Sequence, residues 1–207
     1  MSGRRPLQGD AGGAMSCGIA GENPMFIQTE PTPNPATLKF LPGRAVMARG
    51  VAEFVDPEAA AVSPLASRIF AVEGVTGVYL GAEFVSVTKR EGIAWHELKP
   101  AVLGAIMEHF LSGDPVLAEG AEAEVEDATA DDPTVAQIKE LIETRVRPAV
   151  ARDGGDIVFR GFERGVVYLQ MRGACSGCPS STMTLKAGIE NLLRYYVPDV
   201  VEVRAVG

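Results

Sequence analysis

The sequence predicts an α+β protein built as two small domains joined by an acidic, flexible linker. Three observations predict it. Strand-like and helix-like runs follow the order β-β-α-β-β-α before residue 113 and α-β-β-α-β after residue 132. Between those points Ala, Glu, Asp and Gly displace nearly every large apolar residue. The total of 207 residues suits two small cores.

Residues 1–24 are rich in Gly, Ala and Ser, with Arg4 and Arg5 early and no apolar period. Two arginines beside Asp10 and Glu22 make a poor targeting peptide. The segment reads as a disordered extension, or as sequence ahead of a working start at Met25. Cys17 lies in it with no neighbouring ligand.

The first domain is expected over 25–112. Residues 26–30 and 37–41 read as strands on either side of Pro31-Thr32-Pro33-Asn34-Pro35, since proline removes a ladder donor and restricts its predecessor. Ser63-Pro64 is a helix start, serine as N-cap and proline at the first helical position. Leu65, Ile69 and Val72 follow at helical spacing. Residues 75–80 and 84–88 read as a hairpin. The run 95–111 carries Leu98, Val102, Ile106, Met107 and Phe110 on one stripe. His96 and His109 on that helix are thirteen apart with no cysteine nearby, which suits ordinary surface or helix-end histidines rather than metal ligands.

The linker is expected over 113–132. Residues 114–132 hold eight acidic residues and no Lys or Arg, which equals the net charge of −8 of the whole chain. Like charges keep such a segment extended. No strong basic patch exists, so nucleic acid is not an expected partner. No apolar run reaches membrane-spanning length. Three cysteines cannot make a disulfide framework, which points to a reducing compartment.

The second domain is expected over 133–207. Asp132-Pro133 caps and starts a helix with Val135, Ile138, Ile142 and Val146 on one face, loosened at Pro148. Asp153-Gly154-Gly155-Asp156 is a turn. Residues 157–160 and 166–171 form a hairpin, 182–196 a helix and 200–206 a last strand.

Between the hairpin and the helix stands Gly173-Ala174-Cys175-Ser176-Gly177-Cys178-Pro179-Ser180-Ser181. Cys175 and Cys178 are two residues apart on a glycine-loosened loop ahead of a helix. Unpaired N–H groups there, with Arg172 and Lys186 close in sequence, are expected to favour thiolates. The loop has little apolar residue content to bury them. Four readings stand side by side. A structural zinc site needs four ligands and commonly two such pairs. A dithiol–disulfide oxidoreductase needs only one pair, but its usual fold places that pair after a βαβ pattern. An iron–sulfur cubane needs four thiolates, which two chains supply without remainder. An inert buried pair is the fourth. A cluster held by two subunits can also leave when the subunits part, so the count suits a carrier better than an electron-transfer protein.

Two segments resemble a known family. Asp153-Gly154-Gly155-Asp156-Ile157 and the run from Gly173 through Cys175 and Cys178 to Thr184-Leu185-Lys186 and Gly188-Ile189-Glu190 resemble the C-terminal domain of NifU-like (Nfu-type) iron–sulfur carriers. Residues 26–35, followed by Leu38-Lys39-Phe40-Leu41-Pro42-Gly43, resemble the N-terminal domain found with it. The resemblance implies a labile 4Fe–4S cluster, with 2Fe–2S as the other form, bridging a homodimer through Cys175 and Cys178 of each chain. It implies an upstream scaffold as donor, apo iron–sulfur enzymes as recipients and no catalytic activity. The domain composition and weak N-terminus favour a bacterial cytoplasm, with the mitochondrial matrix as the alternative.

Overall fold

In the computed structural model, residues 26–118, 132–176 and 179–206 are described, with the side chains of 179–181 left aside. The expectations for residues 1–24, for Cys178 and for 119–131 lie outside the described residues.

In the first half, β1 (Gln28–Pro31), β2 (Thr37–Leu41), β3 (Ala52–Phe54), a 3-10 turn (Ala59–Val62), α1 (Pro64–Phe70), β4 (Val75–Leu80), β5 (Val85–Lys89) and α2 (Trp95–Ser112) follow in order. The strands form one antiparallel sheet in the order β1-β2-β5-β4-β3. Side chains alternate across a strand, so the register sorts them into two faces. Phe40, Val85, Val87, Val78, Leu80 and Phe54 pack on Leu65, Ile69, Val102 and Ile106 of α1 and α2. The other face carries a row that runs straight across five strands: Glu30, Lys39, Ser86, Tyr79 and Glu53 are successive cross-strand partners.

Ser63 caps α1 as expected: its hydroxyl accepts from the Ala66 N–H at 3.1 Å. It also donates to the Val116 carbonyl at 2.6 Å. Val116 and Leu117 pack on the first core, and the Ala118 N–H bonds to the Val62 carbonyl at 2.8 Å. The start of the segment read as linker therefore lies against the first domain. Asp114 adds an ion pair to Arg68 at 2.7 Å. His96 is exposed as expected. His109 is not: it is fully buried, edge-on to Phe110 at 5.3 Å, and neither ring nitrogen finds a hydrogen-bond partner among the described residues. The inward stripe of α2 runs Leu98, Val102, Ile106 and His109, and Met107, expected on it, is exposed.

The second half runs α3 (Pro133–Leu141), a π-helical turn (Ile142–Val146), α4 (Arg147–Arg152), β6 (Gly155–Glu163), β7 (Val166–Gly173), α5 (Pro179–Tyr196) and β8 (Glu202–Val206). Asp132 caps α3, accepting from the Thr134 N–H at 2.7 Å. The loosening expected at Pro148 appears just before it, as the π-helical turn. A wide turn relieves the clash between a proline ring and the carbonyl four residues back, and Pro148 then sits in the first turn of α4. β6 pairs antiparallel with β7, and β8 pairs with β7 in parallel. Parallel pairing needs a crossover, and α5 provides it. Ile157, Val167, Leu169 and Val203 pack against Ile138, Ile142, Ile189 and Leu193 from the helices. The architecture is α+β in both halves, as the sequence predicts, with β3 as an additional edge strand.

Candidate functional site

The cysteine loop leaves the C-terminal end of β7 and enters α5. It is tied into a compact turn by its own backbone. The Cys175 N–H donates to the Arg172 carbonyl at 3.2 Å, and the Ser176 N–H to the Gly173 carbonyl at 3.1 Å. Ala174 N–H reaches across to the Gly154 carbonyl at 3.1 Å, which joins this loop to the 153–156 turn. The Thr182 hydroxyl donates to the Cys175 carbonyl at 3.1 Å and so fastens the loop to the first turns of α5.

Cys175 is 6% exposed and belongs to the second core. Its sulfur lies over Gly155. A side chain at residue 155 would fall on that sulfur and stand 2.8 Å from the Arg172 carbonyl oxygen. Gly155 is thus part of the site, a role its place in a turn did not reveal. The sequence holds no signal for it, since Gly155 opens β6 and Cys175 stands twenty residues later on the loop that follows β7.

The charge environment corrects the expectation of a thiolate. Burial, then the negative charges of Asp153, Asp156 and Glu53, push the Cys175 thiol up to about 12. The two cations counted on from sequence point elsewhere. Arg172 lies 3.9 Å from Glu53 and reaches Gln170 at 3.3 Å, while Lys186 lies 3.9 Å from Glu202. The expectation failed because sequence neighbours on a strand end alternate sides, and because Glu53 comes from the other half of the chain. A buried, protonated thiol is a poor attacking nucleophile. It can still ligate iron, because metal binding itself expels the proton. Among the described residues no group of three or more His, Cys, Asp or Glu is placed to hold a metal ion.

The first half also contributes to this region. Asn34 Nδ2 donates to the Ser176 carbonyl at 3.1 Å, Lys39 Nζ to the Arg152 carbonyl at 3.0 Å, and the Ser86 hydroxyl to the Gly154 carbonyl at 2.5 Å. The Gly173 N–H donates to Glu53 Oε1 at 2.8 Å. Burial, then the Asp156 charge, pushes the Tyr79 hydroxyl's pKa up, and Asp156 accepts from Arg147 at 2.9 Å and 3.0 Å. Lys39, Tyr79, Ser86 and Glu53 read in the sequence as ordinary solvent-facing strand positions, and Asn34 and Asp156 as parts of a turn or a family motif, with no sign that they meet the cysteine loop.

Two α+β domains, one with a cysteine loop between a strand and a crossover helix, coincide with two family models. The family description "Scaffold protein Nfu/NifU N terminal" matches residues 27–113, and "NifU-like domain" matches residues 138–204. The mitochondrial NFU1 iron-sulfur cluster scaffold homolog of Drosophila erecta is 52% identical over 190 residues, 91% of this chain and 67% of its own. The mitochondrial NifU-like protein 4 of Arabidopsis thaliana is 50% identical over 181 residues, 85% of this chain and 64% of its own. The solution structure of a NifU-like protein from Saccharomyces cerevisiae aligns with 46% of this chain and 86% of its own at 24% identity and a TM-score of 0.42. The chain belongs to the Nfu/NifU family of scaffold proteins.

Proposed function

We propose that the protein is a non-enzymatic carrier and scaffold for iron–sulfur clusters. It takes a labile 4Fe–4S cluster as cargo between two copies of the chain, through Cys175 and Cys178 of each, and passes it to apo-proteins. The observation that carries this reading is the position of Cys175 at the β7–α5 junction, within the segment matched by the NifU-like domain. A thiol is the donor such a cargo requires, and four are needed. Two cysteines per chain at this loop supply four only when two chains meet. Upstream scaffolds and apo iron–sulfur enzymes are the partners that follow. The relatives are named mitochondrial, which favours the alternative and lends no support to the bacterial cytoplasm expected from the sequence. Among the described residues no helix is long and apolar enough to cross a membrane.

Anaerobic reconstitution with ferrous iron and sulfide, read by Mössbauer spectroscopy and native mass spectrometry, tests the reading. A diamagnetic cubane signal on a dimer is the expected result; a 2Fe–2S signal would change the cargo but not the role. Cys175→Ser and Cys178→Ser should each abolish cluster binding with an unchanged circular-dichroism spectrum. Full retention of the cluster by either variant overturns the reading. The oxidoreductase alternative predicts disulfide reduction by the iron-free chain, and none above the Cys175→Ser background is expected.

A further inference from the structure

The outer face of a five-stranded sheet backed by helices on one side ordinarily faces water and carries polar residues for that reason. Here Lys39, Ser86 and Tyr79, in the middle of the polar row, are buried. What covers them is the cysteine loop and the turn beside it. Lys39 holds the carbonyl of Arg152, Ser86 that of Gly154 and Asn34 that of Ser176, and Glu53 takes the N–H of Gly173. These four bonds reach main-chain atoms on two stretches, the 152–154 turn and 173–176, the second of which contains Cys175. The sheet therefore grips the shape of the loop. Close approach depends on two glycines with positive φ. A Cβ on Gly154 would stand 2.8 Å from the Ser86 hydroxyl oxygen, and one on Gly173 would stand 3.1 Å from the Tyr79 ring.

A cargo shared between two chains has to bring two such loops face to face. A loop whose backbone is already gripped by the first domain cannot present the same atoms to a second copy. We propose that the polar row Lys39–Ser86–Tyr79–Glu53 is a self-docking surface for the cysteine loop, and that this docking competes with the pairing of two loops around the cargo. The chain then has a closed form, with the first domain over Cys175, and an open form able to dimerise. This inference rests on the cluster-carrier reading for what the open form does. The docking itself does not. The contacts are mostly hydrogen bonds that replace bonds to water, so the closed form is only modestly favoured and can be displaced by a partner of either domain.

The test uses the full chain with Cys17→Ser and Cys178→Ser, without iron, so that alkylation reports Cys175 alone. Two sets of changes undock the row: Ser86→Arg, which wedges it, and Lys39→Ala with Glu53→Ala, which removes its grip. Each is first checked for an unchanged far-ultraviolet spectrum. Iodoacetamide labelling of Cys175 and hydrogen exchange of the Gly173 amide should both accelerate by about tenfold or more in the undocked forms. Unchanged rates in a folded variant overturn the proposal. Small-angle scattering of the unaltered apo chain needs no variant: a compact particle is expected, and two separated domains overturn the closed form. With both cysteines restored, undocked variants should accept cluster faster than the parent. If parent and variants alike take up no cluster, the carrier reading fails, while the labelling and exchange results still decide the docking.

Discussion

A methyl group at residue 155 would land on the Cys175 sulfur, with the Arg172 carbonyl oxygen at 2.8 Å leaving the neighbouring backbone no room to yield. Gly155→Ala should therefore displace the loop, lose about 2 kcal/mol by overpacking and reduce cluster loading, read by urea denaturation and by iron content. His109 makes a second prediction at this scale. Burial, then the nearby Arg68 cation, holds its pKa below the usual 6.5, against a smaller opposing effect of Asp114. With the native value depressed, the unfolded chain takes up the proton first as pH falls. Stability is thus fully present above about pH 6.5 and is lost as pH drops from there toward the lowered native value. His109→Phe should flatten that acid limb in urea titrations; an unchanged slope would show that other groups set it. At this scale the cysteine pair was legible because its spacing is chemical. Its burial was not. A Gly-Ser-Pro loop shows what cover it carries itself, and Glu53, which helps hold the thiol protonated, arrives from 122 residues earlier in the sequence.

Among the elements, helix starts were the most legible, because Ser63-Pro64 and Asp132-Pro133 place a side-chain acceptor beside free N–H groups. Ser63 does more than cap. Its hydroxyl accepts from Ala66 and donates to Val116 while wholly buried. Ser63→Ala should cost about 2 kcal/mol, through the lost cap and a stranded carbonyl, measurable as a lower denaturation midpoint of the first domain; Ser63→Thr, which keeps the hydroxyl, should recover part of it. The hairpins β4–β5 and β6–β7 were legible from alternation across short turns. β3 was not, since three residues with only Ala52 and Phe54 inward carry too short a period to register. The parallel pairing of β8 was also beyond a pattern reading, as alternation sorts faces but not strand direction.

For the molecule as a whole, the two cores and their α+β class follow from pattern and composition, but the contact between them does not. It is made by side chains that look solvent-facing and by main-chain atoms that have no sequence signature at all. Its polar character suits repeated opening, since association without much apolar burial is weak. Shortening the connection within residues 119–131 should leave cluster binding intact and impair delivery, compared by iron content and by reactivation of an apo iron–sulfur enzyme. Unimpaired delivery would reduce that stretch to simple spacing. The cut must begin after Ala118, because Val116 and Leu117 are part of the first core.

That backward fold of residues 113–118 also bears on how the native protein would be digested. Matching by family ends the first domain at Gly113, yet five further residues reach back to α1 and the turn before it. A protease acting on the folded chain should spare the peptide bonds of residues 113–118, so the resistant fragment of the first domain carries this extra segment. Trimmed to Gly113, the same fragment would open a gap beside Val62 and Ser63 and become a better substrate than the longer one.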